Sequence, residues 1–133
     1  MLELPRFGDP VTISRTSQLE ARLHELLQSL PEIEGAAVVS PDGLAIASVL
    51  AAGIEEDRVA AMSAAMVSLG ERIARELGRG TMEQVYVRGA AGHAVLTAAG
   101  PQAVLTVMAS NDVRLGMLLL ELRKSVADLQ AHL

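Results

Sequence analysis

The sequence predicts an α/β (α+β) domain with a five-stranded antiparallel sheet and helices on both faces of the sheet. Three segments carry apolar residues at helical spacing, and five short runs rich in valine and alanine separate them. The resulting order is α-β-β-α-β-β-β-α, with short turns between consecutive strands that make neighbours antiparallel. Residues 36–39 are apolar at every position, which is typical of a strand covered on both faces. One sheet between helices satisfies all three observations.

Composition narrows the class of protein. The 133 residues fit a single domain, and half of them are hydrophobic, so a core can form without disulfides or metals. The chain has no cysteine, which excludes disulfides and thiolate metal sites and fits a reducing compartment. Its formal net charge of −5 argues against nucleic-acid binding. We expect a flexible N-terminal segment over residues 1–13 and one domain over residues 14–133.

The longest charge-free run, Gly89–Asn111, has the length of a membrane span. Glycine, proline and polar residues divide it into short pieces, however, and we interpret it as a buried hairpin. The first residues lack the apolar region of a signal peptide. We therefore expect a cytoplasmic protein that does not insert into membranes.

The first helix is predicted from a capping box and an apolar stripe. Ser17 and Glu20 have the S-x-x-E spacing that satisfies two free N–H groups at a helix start. The stripe consists of Leu19, Leu23, Leu26, Leu27 and Leu30. Pro31 then ends the helix.

The segment Gly35–Ser48 predicts a β-hairpin. Pro41, Asp42 and Gly43 separate its two apolar runs. Asp-Gly between such runs is a strong hairpin signal, because glycine accepts the positive φ angle that the turn requires.

The second predicted helix begins near three acidic residues, 55–57, that complement the helix dipole, and ends at Gly78. Its apolar stripe is Val59, Met62, Met66, Leu69 and Ile73, which we expect to face the core. Small residues occupy the other side, where an exposed helix normally carries charges: Ala61, Ala64, Ala65 and Ser68. High helix propensity explains alanine there, but it does not explain the lack of any charge from Val59 to Gly70. This pattern predicts that another protein covers the helix.

Three strands and a helix complete the chain. The strands are predicted over Thr81–Arg88, His93–Ala98 and Gln102–Ala109, and Asn111 or Asp112 is expected to cap the helix. The apolar stripe of this helix is Leu115, Leu118, Leu119, Leu122, Val126 and Leu129.

The sequence contains no pattern that indicates catalysis. His24, His93 and His132 lack metal-ligand spacing, and no glycine-rich phosphate loop or G-x-S-x-G motif occurs. Arg72 and Arg75, with Arg79, could contact an anion or a transition state, but a solvated helix end favoured by the dipole explains them better. We expect no enzymatic activity, no cofactor and no metal.

These elements together resemble the Roadblock/dynein light chain family. The resemblance rests on the GAAVVSPDGLAIAS hairpin, the charge-poor second helix, the strand with Val85, Tyr86 and Val87, and the closing NDVRLGMLLLELRKSVADL helix. It covers about Ser17 to Leu129. The nearest likeness is to prokaryotic members, including MglB-like regulators of small Ras-like GTPases.

The resemblance implies a homodimer in which the strand after the second helix pairs with its copy and the second helices pack side by side. The implied dimer residues are Ala60, Met82, Val85, Tyr86 and Val87. The implied GTPase-binding residues are Ala61, Ala64, Ala65, Ser68, Arg72 and Arg75. In MglB-like members the paired helices accelerate GTP hydrolysis by arranging the GTPase's own residues. Two alternatives stay open: a scaffold or trafficking subunit of the same fold, and a small-ligand sensor domain.

Overall fold

The computed structural model describes residues 14–133, and these form a five-stranded antiparallel sheet with three helices. The predicted element order is confirmed. The elements are α1 (Arg15–Ser29), β1 (Ile33–Val39), β2 (Ala45–Val49), α2 (Glu56–Glu76), β3 (Gln84–Gly89), β4 (Gly92–Ala98), β5 (Val104–Ala109) and α3 (Leu115–Gln130). The N-terminal segment that we expect to be flexible, residues 1–13, lies outside the described residues.

The strands are arranged in the order β2-β1-β5-β4-β3, and every neighbouring pair is antiparallel. Helices α1 and α3 cover one face of this sheet, and α2 is the helix of residues 14–133 that covers the other. The core between the sheet and the helix pair is the larger one and contains Leu19, Leu23, Leu118 and Leu122. Helices therefore lie on both faces, as predicted, but the α2 face has only half the helical cover of the opposite face.

Two predicted helix starts differ from the structure. Helix α1 begins one turn earlier than the capping box implies: the Ser14 side chain accepts a hydrogen bond from the Ser17 backbone N–H at 3.1 Å. Helix α3 begins after Arg114, and neither Asn111 nor Asp112 caps it. The Asn111 side chain instead donates to the Ala90 carbonyl at 2.8 Å and ties two loops together. Short polar side chains can bond several nearby backbone groups, so spacing alone did not identify the cap.

The predicted core stripe of α2 is wrong. Of its five residues only Val59 is buried, whereas Met62 is 57% and Leu69 is 52% exposed. The residues that α2 turns towards the sheet are the smaller ones: Val59, Ala60, Ser63 and Val67. Small side chains let the helix axis approach the sheet closely. The large apolar side chains consequently point to the side of the helix, away from the chain's own core.

Two glycines provide a stability test of this packing. A Cβ atom on Gly92, at the start of β4, would lie 2.6 Å from the Ala109 carbonyl oxygen, a backbone atom that cannot move aside. We expect Gly92→Ala to lower the free energy of unfolding by about 2 kcal/mol. Gly116 in α3 has nothing within 4 Å of the same position, so Gly116→Ala should raise stability by roughly 0.5–1 kcal/mol through helix propensity. Urea denaturation at equal protein concentration measures both, and equal effects would contradict this description.

Candidate protein-interaction site

Helix α2 presents three different surfaces around its axis. At about 100° per residue, the side chains that meet the sheet occupy one sector. The next sector, about 60° wide, holds Met62, Met66, Leu69 and Ile73, which we call the methionine face. A third sector, about 100° wide, holds Ala61, Ala64, Ala65 and Ser68, which we call the alanine face. None of the three carries a charge between Val59 and Gly70, so this part of the helix is uncharged in every direction.

The methionine face borders an open apolar groove of about 550 Å³. Its side chains are 37–57% exposed although all four are large and apolar. Across the groove lie Val87, Ala94 and Met108 on β3, β4 and β5. The groove exists because one helix cannot cover five strands. Its apolar lining suits the side chains of a second helix lying beside α2, since helices pack through apolar side chains at axis separations of about 8–10 Å.

The groove extends to an unpaired sheet edge. Strand β3 bonds only to β4, and among the described residues no strand pairs with its other side. All of its side chains except the half-buried Val85 are exposed. The opposite edge strand, β2, is half-buried and contacts both α1 and α2. An open edge with exposed Tyr86 and Val87 is a template for pairing with another strand.

The alanine face is partly covered within the chain by the β1–β2 turn. A Cβ atom on Gly43, which has a φ of 88°, would lie 3.6 Å from the Ala64 Cβ and 3.6 Å from the Ala61 Cα. Small residues at 61 and 64 therefore let the turn approach the helix. Ala61, Ala65 and Ser68 remain exposed, and Ala64 is half-buried.

Charged residues lie at the end of the alanine face. Arg72 continues the face and forms an ion pair with Glu76 at 3.1 Å. Arg75 and Arg79 form no ion pair within residues 14–133. The Arg72–Glu76 pair is well exposed on both sides, so it contributes little to stability. These arginines are available to a partner, but none lies at the centre of the charge-free strip.

Two of the residues implied for the dimer seam have a different position. Ala60 is fully buried and packs with Ala37 and Val39 of the protomer's own sheet. Met82 is also buried, beside Val67 and Leu96. Both belong to the protomer's own core, so the structure does not support their predicted place in the dimer interface. Val85, Tyr86 and Val87 keep their place at the edge. The methionine face was not predicted from the sequence, because its residues were assigned to the core. The lack of charges on α2 was the only sign that these side chains are exposed.

One buried polar pair joins α2 to the sheet beside the groove. Thr106 of β5 donates to the Ser63 hydroxyl at 2.8 Å, and both residues are buried. We expect Thr106→Val to cost about 1–2 kcal/mol of unfolding free energy, because it leaves a buried hydroxyl without its partner. The double variant Ser63→Ala/Thr106→Val should cost less than the sum of the single variants. Additive effects in urea denaturation would show that the pair contributes no coupling.

The three histidines lie on different parts of the fold. His24 is exposed on α1, His93 stacks on Tyr86 in the sheet, and His132 accepts a hydrogen bond from Arg22 near the chain end. Within residues 14–133 no group of three or more His, Asp or Glu side chains could hold a metal ion. Among the helices of the described part, none is long and apolar enough to cross a membrane.

Comparison with known proteins agrees with this geometry. The model of the Roadblock/LC7 domain matches residues 19–109. The chain belongs to the Roadblock/LC7 family. An uncharacterized protein of Methanocaldococcus jannaschii, MJ1340, is 34% identical to this Roadblock/LC7 chain over 99 residues, which are 74% of this chain and 86% of that protein.

Two solved structures have the same fold. A Roadblock/LC7 domain from Streptomyces avermitilis superposes with a TM-score of 0.80 and 24% identity, covering 85% of this chain and 95% of that one. Myxococcus xanthus MglB superposes with a TM-score of 0.82 and 21% identity, covering 89% of this chain and 96% of that one. The α-β-β-α-β-β-β-α arrangement is thus the Roadblock/LC7 fold.

Proposed function

We propose that this Roadblock/LC7 protein is a homodimeric regulator that binds a small Ras-like GTPase on its paired α2 helices. The observation that carries the proposal is the pair of uncharged faces on α2. One borders a groove that opens onto a free sheet edge, and the other points outwards. We assign the two faces to different partners, because the methionine face borders the groove whereas Ala61, Ala64 and Ser68 lie outside it. The likeness to MglB supports a regulatory role.

The methionine face and the β3 edge fit a second copy of the chain. Antiparallel pairing of β3 with its copy would extend the sheet across a two-fold axis, which is the common symmetry of homodimers. The same operation carries the second α2 to the side of the first, where the groove is open. Each large apolar side chain that becomes fully buried contributes roughly 1.5–3 kcal/mol, and the partial exposure of Met62, Met66 and Leu69 leaves much of that gain available.

The alanine face fits the GTPase. In the dimer, two such faces form one shallow strip with an uncharged centre, and Asp57, Arg58, Arg72 and Arg75 lie towards its ends. An apolar centre with a polar rim is the usual construction of a protein interface. Because no arginine lies at the centre of the strip, we infer that any acceleration of hydrolysis comes from ordering the GTPase's own residues. A scaffold of the same fold would bind without that acceleration.

The test measures binding and hydrolysis together. Each small Ras-like GTPase of the source genome is titrated with the protein, both bound to a non-hydrolysable GTP analogue and bound to GDP. Phosphate release is then followed with GTP under single-turnover conditions. We expect preferential binding of the GTP-analogue form and faster hydrolysis. Binding without acceleration would indicate the scaffold, and the absence of binding to every such GTPase would refute the proposal.

A further inference from the structure

Two residues of opposite charge lie at the two ends of the methionine face. The Arg58 and Glu76 side chains are 71% and 67% exposed. They are 18 residues apart, which is five full turns of an α-helix, so both point to the same side of α2. That side lies about 20° beyond Leu69, the member of the methionine face that is farthest in angle from the residues that meet the sheet. The two charges therefore mark the ends of the solvent-side border of this face.

The signs of these two charges do not suit α2 as an isolated helix. Arg58 lies in the first turn, where the helix dipole favours negative charge, and Glu76 is the last helical residue, where it favours positive charge. Each has one partner on the same helix: Arg58 pairs with Glu55 at 3.7 Å, and Glu76 pairs with Arg72 at 3.1 Å. Both pairs are well exposed and contribute little to the stability of the protomer. The protomer's own fold therefore does not explain why these charges are placed as they are.

The contacts between α2 and β3 indicate where a two-fold axis through the sheet edge would cross the helix. A Cβ atom on Gly70 would lie 2.9 Å from Val85 Cγ2, and Val87 lines the groove together with Met66. The middle of β3 therefore lies beside the part of α2 between Met66 and Gly70. If β3 pairs with its copy about the middle of the strand, the axis passes α2 at this level. The second α2 then runs antiparallel to the first.

We propose that Arg58 of each copy forms an ion pair with the partner subunit's Glu76, and that these two pairs make a second copy of this chain the preferred occupant of the methionine face. Residue 67 is midway between them and lies at the level of the axis, so an antiparallel second helix brings Glu76 to the level of Arg58. Glu55 and Arg72 would extend each pair to a row of four alternating charges. The inference rests on the dimer of the proposed function and is independent of the GTPase.

The pairs would determine the choice and orientation of the partner more than the affinity. Charges at the rim of an apolar helix interface suppress wrong partners through like-charge contacts, whereas the buried apolar side chains supply most of the binding energy. A second α2 in parallel orientation would place Arg58 beside Arg58 and Glu76 beside Glu76. A related chain without these charges would leave both residues without a partner across the interface.

The experiment reverses each charge and then combines the variants. Arg58→Glu and Glu76→Arg each place like charges opposite one another twice in the dimer. Both substitutions agree with the helix dipole, so the protomer should stay folded. At about 50 mM salt, where exposed charges are weakly screened, we expect the dissociation constant of the dimer to rise about tenfold for each variant. Sedimentation across a concentration series measures it, with circular dichroism to confirm the fold.

An equal mixture of the two variants restores opposite charges at both contacts. We expect the mixed dimer, followed with a fluorescent label on one variant, to dissociate within threefold of the parent. The double variant Arg58→Glu/Glu76→Arg should recover in the same way as a homodimer. Arg22→Glu and Glu25→Arg provide the control, because they reverse a pair at 2.9 Å on α1, across the sheet. Each control should dimerise within twofold of the parent.

The outcomes separate the ion pairs from the dimer. If the parent is a dimer and both single variants dimerise within twofold of it, the pairs are refuted while the proposed dimer stands. If the single variants weaken the dimer but neither the mixture nor the double variant recovers, the two charges do not meet across the interface and the pairs are again refuted. Equal losses in the α1 controls would assign the effect to net charge and overturn the inference. If the parent is a monomer, the dimer fails and the pairs fail with it.

Discussion

Replacing Met62 with lysine is expected to convert the dimer to a monomer. Met62 is 57% exposed on the methionine face, so a protomer can accommodate lysine in solvent without loss of its own fold. In the proposed dimer the same position faces the second α2, and a charge there would be buried without a counter-ion, at a cost of several kcal/mol. Because a two-fold dimer contains the substituted position twice, this cost arises twice. We expect the dissociation constant of the dimer to rise at least 100-fold, as measured by sedimentation across a concentration series.

Met117 provides the matched control for this substitution. It is a 46%-exposed methionine on α3, which lies across the sheet from the groove. Met117→Lys makes the same change in charge and shape, and we expect it to keep the parent's mass of twice 14.0 kDa. A dimeric Met62→Lys protein would show that the copies do not meet at the methionine face. A parent that is monomeric at micromolar concentration would contradict the dimer itself.

Replacing Ser68 with arginine is expected to abolish GTPase binding while the dimer persists. Ser68 is exposed on the alanine face and points away from both the sheet and the groove. A long charged side chain there would separate two closely fitting surfaces and lose its hydration without a counter-ion. We expect at least 100-fold weaker binding, corresponding to about 2.8 kcal/mol. Binding is measured by titration at a protein concentration where the dimer is fully formed.

The position of this substitution follows from the structure. Ala64 lies near the middle of the alanine face. An arginine at this position would collide with the turn at Gly43, and a loss of binding could then result from misfolding. Ser68 has no such neighbour. Gln28 is exposed on α1, on the opposite face of the sheet. The variant Gln28→Arg adds the same charge there and should bind the GTPase as the parent does. If folded, dimeric Ser68→Arg retains the parent's affinity, the alanine face is not the GTPase site.

The loss of dimer and the loss of partner are separable. Met62→Lys should remove both, since the proposed GTPase site spans two α2 helices, whereas Ser68→Arg should remove only GTPase binding. A Met62→Lys monomer that still binds the GTPase at parent affinity would mean that one alanine face is sufficient.

The sequence was sufficient for the architecture because its local signals agree with one another. The Asp42-Gly43 turn, the fully apolar β1 and the helical stripes of α1 and α3 each predict an element that the structure contains. They are short-range patterns, in which the period and the turn residue determine the conformation. The element boundaries were less accurate at α1 and α3, where several polar side chains competed to cap the helix.

The sequence also predicts that another protein covers α2, which stays a prediction, but it did not indicate which side of α2 meets the sheet. Hydrophobic periodicity identifies a core face only when the opposite face is polar, and from Val59 to Gly70 no side of this helix is charged. The large side chains were therefore assigned to the core, although they lie beside the groove.

Only the tertiary structure decided which surfaces of α2 face the core, the groove and the solvent. Ala60, Ser63 and Val67 allow the helix to lie close to the sheet, and the hydroxyl pair of Ser63 and Thr106 fixes its rotation. The sequence by itself determined the elements, their order and an uncharged helix. The division of that helix into a core face, the methionine face and the alanine face depends on residues distant in the chain, because the side that meets the sheet must fit the side chains of the strands beneath it.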